Sequence, residues 1–430
     1  MKKNVKNLLL FLLCGVMCFG LAACGGGSGK TGGDAGKTSK ESYTMTIWTT
    51  GDVGINPQIE VWNESHPDRQ IEMVTAESEA LLANLQTALA AGAGLPDAVW
   101  VESDSVENFK RNPELWVNLF DYGAKELEGD YLEWKWEQAL STEGDFLFGL
   151  PTDVGPILMA YRIDIFEAAG LPADRDEVSK LLVTWDDYVS AGEAIKEKTG
   201  SYMVNNAAYL FQVIVGQGEQ KFFDTEENLV VGTNRQVSRA WDMAQKVVKS
   251  GISANMQLWS SEWSTALGDG TIAVQLCPAW MMTHIKNYSE ENAGKWDFAY
   301  LPEGGGNWGG SFACIPAKAE HPEAMYDFIS GALSTEGQFD TFVSNKLFPS
   351  AVGVYEMDEF KNSTDEFFNN APFAQMFSES AQQLIPAYEG IYSKDVLEIM
   401  KDAASRFENG TQTPDKSWQQ AMDEIARLMR

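Results

Sequence analysis

Residues 43–101 switch repeatedly between two hydrophobic periods, and this alternation constrains the fold more than any other feature of the chain. Residues 43–49 (YTMTIWT) alternate with period two and are rich in β-formers, which predicts a strand. Pro57 opens a helical stretch over 56–65, and 70–74 predicts a second strand. Leu81, Leu82, Leu85, Ala88 and Leu89 share one helical face over 78–91, with Gly92 as the stop. Leu95-Pro96-Asp97 then leads into a third strand over 98–101. Strand–helix–strand–helix–strand predicts a parallel sheet with helices on both faces.

Further along, residues 147–160 are apolar but broken by glycine and proline, which predicts two extended pieces with a bend. Thr184 reads as a helix N-cap, with Asp187 at the N3 position of a variant capping box. Strands are expected over 270–276, 297–301 and 311–315, and a helix over 322–333. From Phe367 the pattern is mostly helical, ending in a helix over 414–429. The apolar fraction of 44 % supplies two cores, and a chain of about 400 residues beyond its leader predicts two domains.

The N-terminus sets the expected compartment. Lys2, Lys3 and Lys6 precede an apolar stretch over 8–21, closed by Leu21-Ala22-Ala23-Cys24. The stretch is short and ends in small residues, so it predicts a secretory signal over 1–23 rather than a spanning helix. The cysteine after the small residues resembles a bacterial lipobox, which implies cleavage before Cys24 and a lipid on its thiol. Residues 24–42, rich in Gly, Ser, Thr and Lys, predict a flexible tether reaching about 25 Å.

The formal net charge is −30, and loss of the three leader lysines would deepen it. Such a surface repels nucleic acid, so a nucleic-acid partner is not expected. Cys14 and Cys18 fall in the leader, leaving Cys277 and Cys314 beyond Cys24. His66, His284 and His321 are far apart in sequence. Neither set has metal-ligand spacing, so no metal or cofactor is expected.

Ordered motifs carry a family resemblance over residues 43–430. They are Ile47-Trp48-Thr49-Thr50-Gly51-Asp52, Ala90-Ala91-Gly92, Leu95-Pro96-Asp97-Ala98-Val99, Gly149-Leu150-Pro151, the run from Ala160 to Pro172, and Thr184-Trp185-Asp186-Asp187-Tyr188. There follow the run from Ala266 to Val274 ending at Pro278-Ala279-Trp280, Leu301-Pro302-Glu303-Gly304, Ile315-Pro316-Ala317-Lys318, Ser334-Thr335-Glu336-Gly337-Gln338 and Asn409-Gly410-Thr411-Gln412-Thr413-Pro414. In this order they resemble the extracellular solute-binding proteins of family 1, the group containing the maltose-binding proteins.

The resemblance implies an α/β, two-lobed fold of the type II periplasmic-binding-protein kind, with three interlobe crossings. These are placed near 150–155, 299–304 and 348–353. Lobe one would be 43–152 with 304–348, and lobe two 153–303 with 349–430. Cys277 and Cys314 then lie in different lobes, so no disulfide is expected. The implied function is capture of a carbohydrate, an oligosaccharide above all, by a monomeric lipid-anchored protein. It would deliver the sugar to the transmembrane subunits of an ABC permease and catalyse nothing.

A sugar site needs side chains that donate and accept hydrogen bonds, together with aromatic faces for the C–H surfaces of the ring. In open α/β sheets the ligand sits beyond the carboxyl ends of the strands. Thr49, Thr50 and Asp52 follow the first strand and match the family's ligand loop, although turn chemistry alone also explains them. Glu102, Ser103 and Asp104 follow the third strand. Asp153 lies near the position where maltose-type members carry a glutamate, which here is Gly155. Trp280 matches the family's stacking tryptophan of lobe two. Trp308, flanked by Gly309 and Gly310, is expected to face the cleft from lobe one. Tyr388 matches a C-terminal aromatic site, and Tyr209 and Phe211 are further candidates. With 14 tryptophans in the chain, core packing competes with each of these assignments.

Other readings remain open at this level. Carboxylates with Trp and Tyr also suit a polyamine or quaternary amine, whose binding would depend steeply on salt. A secreted glycoside hydrolase needs two carboxylates about 5 Å or about 6.5–9.5 Å apart, and a surface lipoprotein needs no ligand.

Overall fold

The computed structural model describes residues 42–384 and 387–430. The expected signal, Cys24 and almost all of the tether lie outside them. Ten strands are described: β1 (Tyr43–Thr50), β2 (Arg69–Ala76), β3 (Ala98–Glu102), β4 (Leu150–Pro151), β5 (Asp153–Val154), β6 (Ile157–Arg162), β7 (Val274–Pro278), β8 (Trp296–Ala299), β9 (Ser311–Cys314) and β10 (Phe348–Pro349).

They form a five-stranded sheet in the order β2-β1-β3-β9-β4, a three-stranded sheet β7-β6-β8 and a two-stranded pair β10-β5. The parallel sheet expected from the first alternation holds for β1, β2 and β3. It does not hold for the whole sheet. Strand β9 runs antiparallel to both β3 and β4; the chain reaches it from β8 of the three-stranded sheet instead of through a strand–helix–strand crossover. In the second sheet both neighbours of β6 are antiparallel to it.

Strand β6 shows why 147–160 reads as apolar throughout. Every residue in it is buried. Leu158 and Ala160 join a core that begins on the first sheet with Met45, Ile47 and Trp100 and continues to Phe298. Ile157, Met159 and Tyr161 face a second core with Trp185, Phe211 and Leu276. Alternation along a strand covered on both faces leaves no polar side to read.

The helices Asn56–Ser65 and Ser78–Ala91 occupy their expected ranges. Thr184 caps Trp185–Thr199 with the capping box completed by Asp187. Helices Phe373–Gln382, Ser393–Glu408 and Pro414–Leu428 make up the C-terminal part. The strand expected over 270–276 begins late, at Val274. Gly270 instead closes the helix Ser261–Asp269 in the left-handed conformation, and Ile272 donates its N–H back to Ala266. Cys277 in β7 and Cys314 in β9 are buried free thiols in separate sheets.

Between the two larger sheets the chain crosses from β4 to β6 and back from β8 to β9, and β10 then leads to the C-terminal helices; these connecting segments bind one another. β5 and β10 pair through Val154–Phe348 and Asp153–Pro349. The Gly155 N–H donates to Asn307 Oδ1 at 2.8 Å, and the Trp308 N–H donates to the Gly155 carbonyl at 2.8 Å. A Cβ on Gly155 would lie 1.9 Å from the Trp308 carbonyl oxygen. No side chain fits there, which explains why a glutamate of the maltose type is absent from this position.

Candidate functional site

A cavity of about 840 Å³ opens between the two larger sheets. It lies where the carboxyl ends of β1 and β3 meet the crossings, the position expected for a ligand in an open α/β sheet. One wall carries Thr50, Asp52, Glu102, Ser103, Asp104 and Asp153. The facing wall carries Trp259, Trp280, Thr283, His284 and Trp308; Trp308 packs against Trp280 and Tyr209 there, instead of standing with the groups of lobe one as expected. Gln212, Lys221, Glu389 and Lys394 line a third side.

The structure divides the sequence candidates. Thr49 does not line the cavity. It is fully buried because β1 sends Met45, Ile47 and Thr49 to the same inner face, and its hydroxyl donates to the Gly51 carbonyl at 2.9 Å. Thr50 lines the cavity instead. Asp52 also does turn work, accepting the Gly54 N–H at 2.8 Å. Gly309 and Gly310 lie on the cavity with φ of +110° and +91°. A Cβ on Gly310 would come within 2.5 Å of the Asp153 carbonyl, so glycine is needed for both space and conformation.

Tyr209 and Phe211 are corrections. Both belong to the helix Ala207–Gly216 and are buried. The Tyr209 hydroxyl donates to the Leu276 carbonyl at 2.7 Å, and its ring sits 5.1 Å behind Trp308. Phe211 meets Trp241 edge-on inside the second core. Gln212, Val215 and Gly216 line the cavity instead, at the i, i+3, i+4 spacing of a single helical face. Tyr388 is likewise absent from the lining. Its hydroxyl donates to Glu227 at 2.6 Å, and its neighbour Glu389 lines the cavity.

Trp280 stands on the aromatic wall, though not as an open platform. Its indole N–H donates to the Trp308 carbonyl at 2.9 Å. Trp259 stacks on it at 5.8 Å with 25° between planes, and Trp308 meets it edge-on at 5.1 Å. Trp259 is 50 % exposed and has φ of +70°, an uncommon conformation for a bulky side chain. It was not among the sequence candidates. A signal existed: Trp259 precedes the N-cap Ser260, where an apolar residue usually packs on an apolar N4 partner, and the N4 residue here is Ser264. His284 meets Trp259 edge-on at 4.9 Å, and burial pulls its pKa below the usual histidine value. It therefore adds a neutral ring to this wall at neutral pH.

The opposite wall is polar and internally paired. Glu102 accepts the Ser78 hydroxyl at 2.7 Å. The Lys394 ammonium, from helix Ser393–Glu408, lies 3.7 Å from Glu102, 3.8 Å from Asp104 and 3.9 Å from Glu79. Burial and the neighbouring Asp104 raise the Glu102 pKa, against the opposing Ser78 and Lys394 contacts. Burial pulls Lys394 down, but Asp104, Glu102 and Glu79 together outweigh it and raise its pKa. Lys221 pairs with Glu389 nearby. These two lysines arrive from segments remote in sequence from the carboxylates they meet, and no local pattern announces them. Among the described residues, no group of three or more His, Cys, Asp or Glu is placed to hold a metal ion.

The sequence pattern of the bacterial extracellular solute-binding protein family matches residues 58–369. The chain is 26 % identical over 395 residues to the arabinooligosaccharide-binding protein of Halalkalibacterium halodurans, spanning 86 % of this chain and 85 % of that protein. It is 26 % identical over 375 residues to the lactose-binding protein of Rhizobium radiobacter, spanning 82 % and 85 %. The crystal structure of an extracellular solute-binding protein of family 1 superposes with a TM-score of 0.84 at 30 % identity, covering 89 % of this chain and 99 % of that one.

Proposed function

This chain belongs to the bacterial extracellular solute-binding proteins, and we propose that it captures a neutral oligosaccharide between its two lobes and hands it to an ABC permease. The observation that carries this reading is the pairing of walls. Indoles of Trp259, Trp280 and Trp308 face the carboxylates and hydroxyls of Thr50, Asp52, Glu102, Ser103, Asp104 and Asp153 across one cavity. Stacking surface on one side and hydrogen-bonding groups on the other match the two kinds of surface a sugar presents. The volume of about 840 Å³ sits near the upper end of small-ligand pockets, roughly 300–1,000 Å³, and favours an oligosaccharide over a single ring. Relatives named for arabinooligosaccharide and lactose binding support a neutral ligand.

The placement of Lys394 argues against a polyamine or quaternary amine. Glu102 and Asp104, the carboxylates that such a cation would seek, already face this lysine. A thermal-shift panel of arabino-oligosaccharides, lactose and spermidine tests the reading. A sugar present at about 100 times its Kd adds about 2.7 kcal/mol and raises the melting temperature. A shift with spermidine alone, abolished by salt, would overturn the sugar assignment.

The lobes are assigned as 43–152 with 304–348 and 153–303 with 349–430, closing on ligand about the crossings. Binding rather than catalysis is the role, and the protein acts as a monomer. It is held at the outer face of the membrane by lipid on Cys24. Cys24→Ser should release the protein into the medium or leave it unprocessed, because the acyl chains supply the membrane affinity. Fractionation showing normal processing and full membrane retention would remove the anchor from this account.

A further inference from the structure

Beneath the polar wall lies a lysine that the sugar-binding account does not use. Lys135, in the short helix Glu133–Gln138, is completely buried. Its ammonium donates to Ser103 Oγ and sits 3.8 Å from the centre of the Phe312 ring. Among the described residues no carboxylate forms an ion pair with it. A buried ammonium is costly unless paired, so its retention at this place calls for a reason.

Ser103 supplies one. Its hydroxyl donates to the Gly310 carbonyl at 2.7 Å, and its backbone N–H donates to the same oxygen at 2.9 Å. A serine hydroxyl has one proton and two lone pairs. The proton goes to Gly310 and one lone pair accepts from Lys135, which leaves one lone pair. Ser103 lines the cavity, so toward a ligand it acts as an acceptor only. Loss of one Lys135 proton leaves an amine with two N–H donors and a lone pair; that lone pair competes with Gly310 for the serine proton, so the hydroxyl is free to reorient.

We propose that Lys135 is a positioning residue for the ligand: its buried ammonium fixes Ser103 as a hydrogen-bond acceptor, so that a sugar hydroxyl donating to Ser103 is held tightly only while Lys135 keeps its proton. This rests on the sugar-capture reading. Burial lowers the Lys135 pKa to about 7, against the opposing influence of Asp153 in β5, Cys314 in β9 and Glu389 before the helix Ser393–Glu408. Burial likewise raises Asp153, with the Thr152 hydroxyl and Lys135 opposing it. The switch therefore falls in the neutral range. Above it the amine is neutral, and Ser103 is no longer held as an acceptor only. His284 on the opposite wall has a pKa lowered by burial, which moves its own titration toward the acid side of this window.

The test is calorimetric titration of arabinotriose, with lactose in parallel, from about pH 6.5 to about pH 9. The wild-type affinity should fall about tenfold, the weight of one hydrogen bond between hydroxyls. Lys135→Met should bind at the weaker level with no pH dependence. In ligand-free protein labelled at lysine Cε, one resonance missing from Lys135→Met should titrate near neutrality, and Ser103→Ala should move its midpoint lower still. If Lys135→Met does not fold, the wild-type profile and the Ser103→Ala resonance decide alone. Sugar binding that is flat across this range, or a lysine resonance unmoved by Ser103→Ala, would overturn the proposal while leaving sugar capture intact. No sugar binding at any pH, with the lysine titration in place, would remove the sugar reading and with it the ligand of this proposal.

Discussion

Replacing Trp259 with alanine should weaken oligosaccharide binding about 30-fold and shift the melting temperature of the ligand-free protein by less than about 2 °C. Trp259 is half exposed at the cavity and covers one side of Trp280. Its free face is therefore the open stacking surface of the aromatic wall. A sugar ring covering about 80 Å² of joint apolar area there gains about 2 kcal/mol, at roughly 25 cal/mol per Å². Folding depends on it less than on a core tryptophan, since half of the side chain is already exposed. The backbone at φ +70° is unfavourable for alanine too, so Trp259→Gly is the control that removes the ring and relieves the conformation. Calorimetric titration of both variants with arabinotriose and lactose checks the claim. Wild-type affinity in both would shift the platform to Trp308, another indole of this wall.

Gly155→Ala should destabilise the protein by about 3 kcal/mol, at the upper end of overpacking costs. The added methyl would meet the Trp308 carbonyl carbon at 2.5 Å as well as its oxygen, and neither is a flexible side-chain end that moves aside cheaply. The segment that must yield carries Asn307, Trp308, Gly309 and Gly310, all on the cavity. Binding should therefore weaken along with stability, unlike in the Trp259 variants. Urea denaturation with and without sugar separates the two effects. Unchanged stability would mean that the first crossing and the segment after the second pack more loosely than their hydrogen bonds indicate.

Local chemistry is where the sequence was most legible. The Thr184–Asp187 capping box, the stop at Gly92 and the alternation of 43–49 are decided by residues a few positions apart. The same holds for the cavity-lining residues at strand ends, Asp52 and the Glu102-Ser103-Asp104 run, because a strand end fixes where the next residues emerge. Errors arose where one local signal fitted two environments. Tyr209 and Phe211 sit on a helix so apolar that its inner and outer faces read alike. Thr49 and Thr50 are adjacent and chemically identical, and only the register of β1 against β2 and β3 turns one inward and the other to the cavity.

The sequence alone therefore determined the order of elements, their caps, the family and the kind of ligand surface, since each is written in neighbouring residues or in motif order. Tertiary structure alone decided which groups meet. Trp259 covers Trp280, Lys394 reaches Glu79, Glu102 and Asp104 from 290 or more positions away, and Lys135 lies under Ser103. These contacts follow from how the crossings bring the two sheets together. A side chain's charge or aromatic face is a property of its own residue, whereas its partner is fixed by packing between segments with no common local pattern.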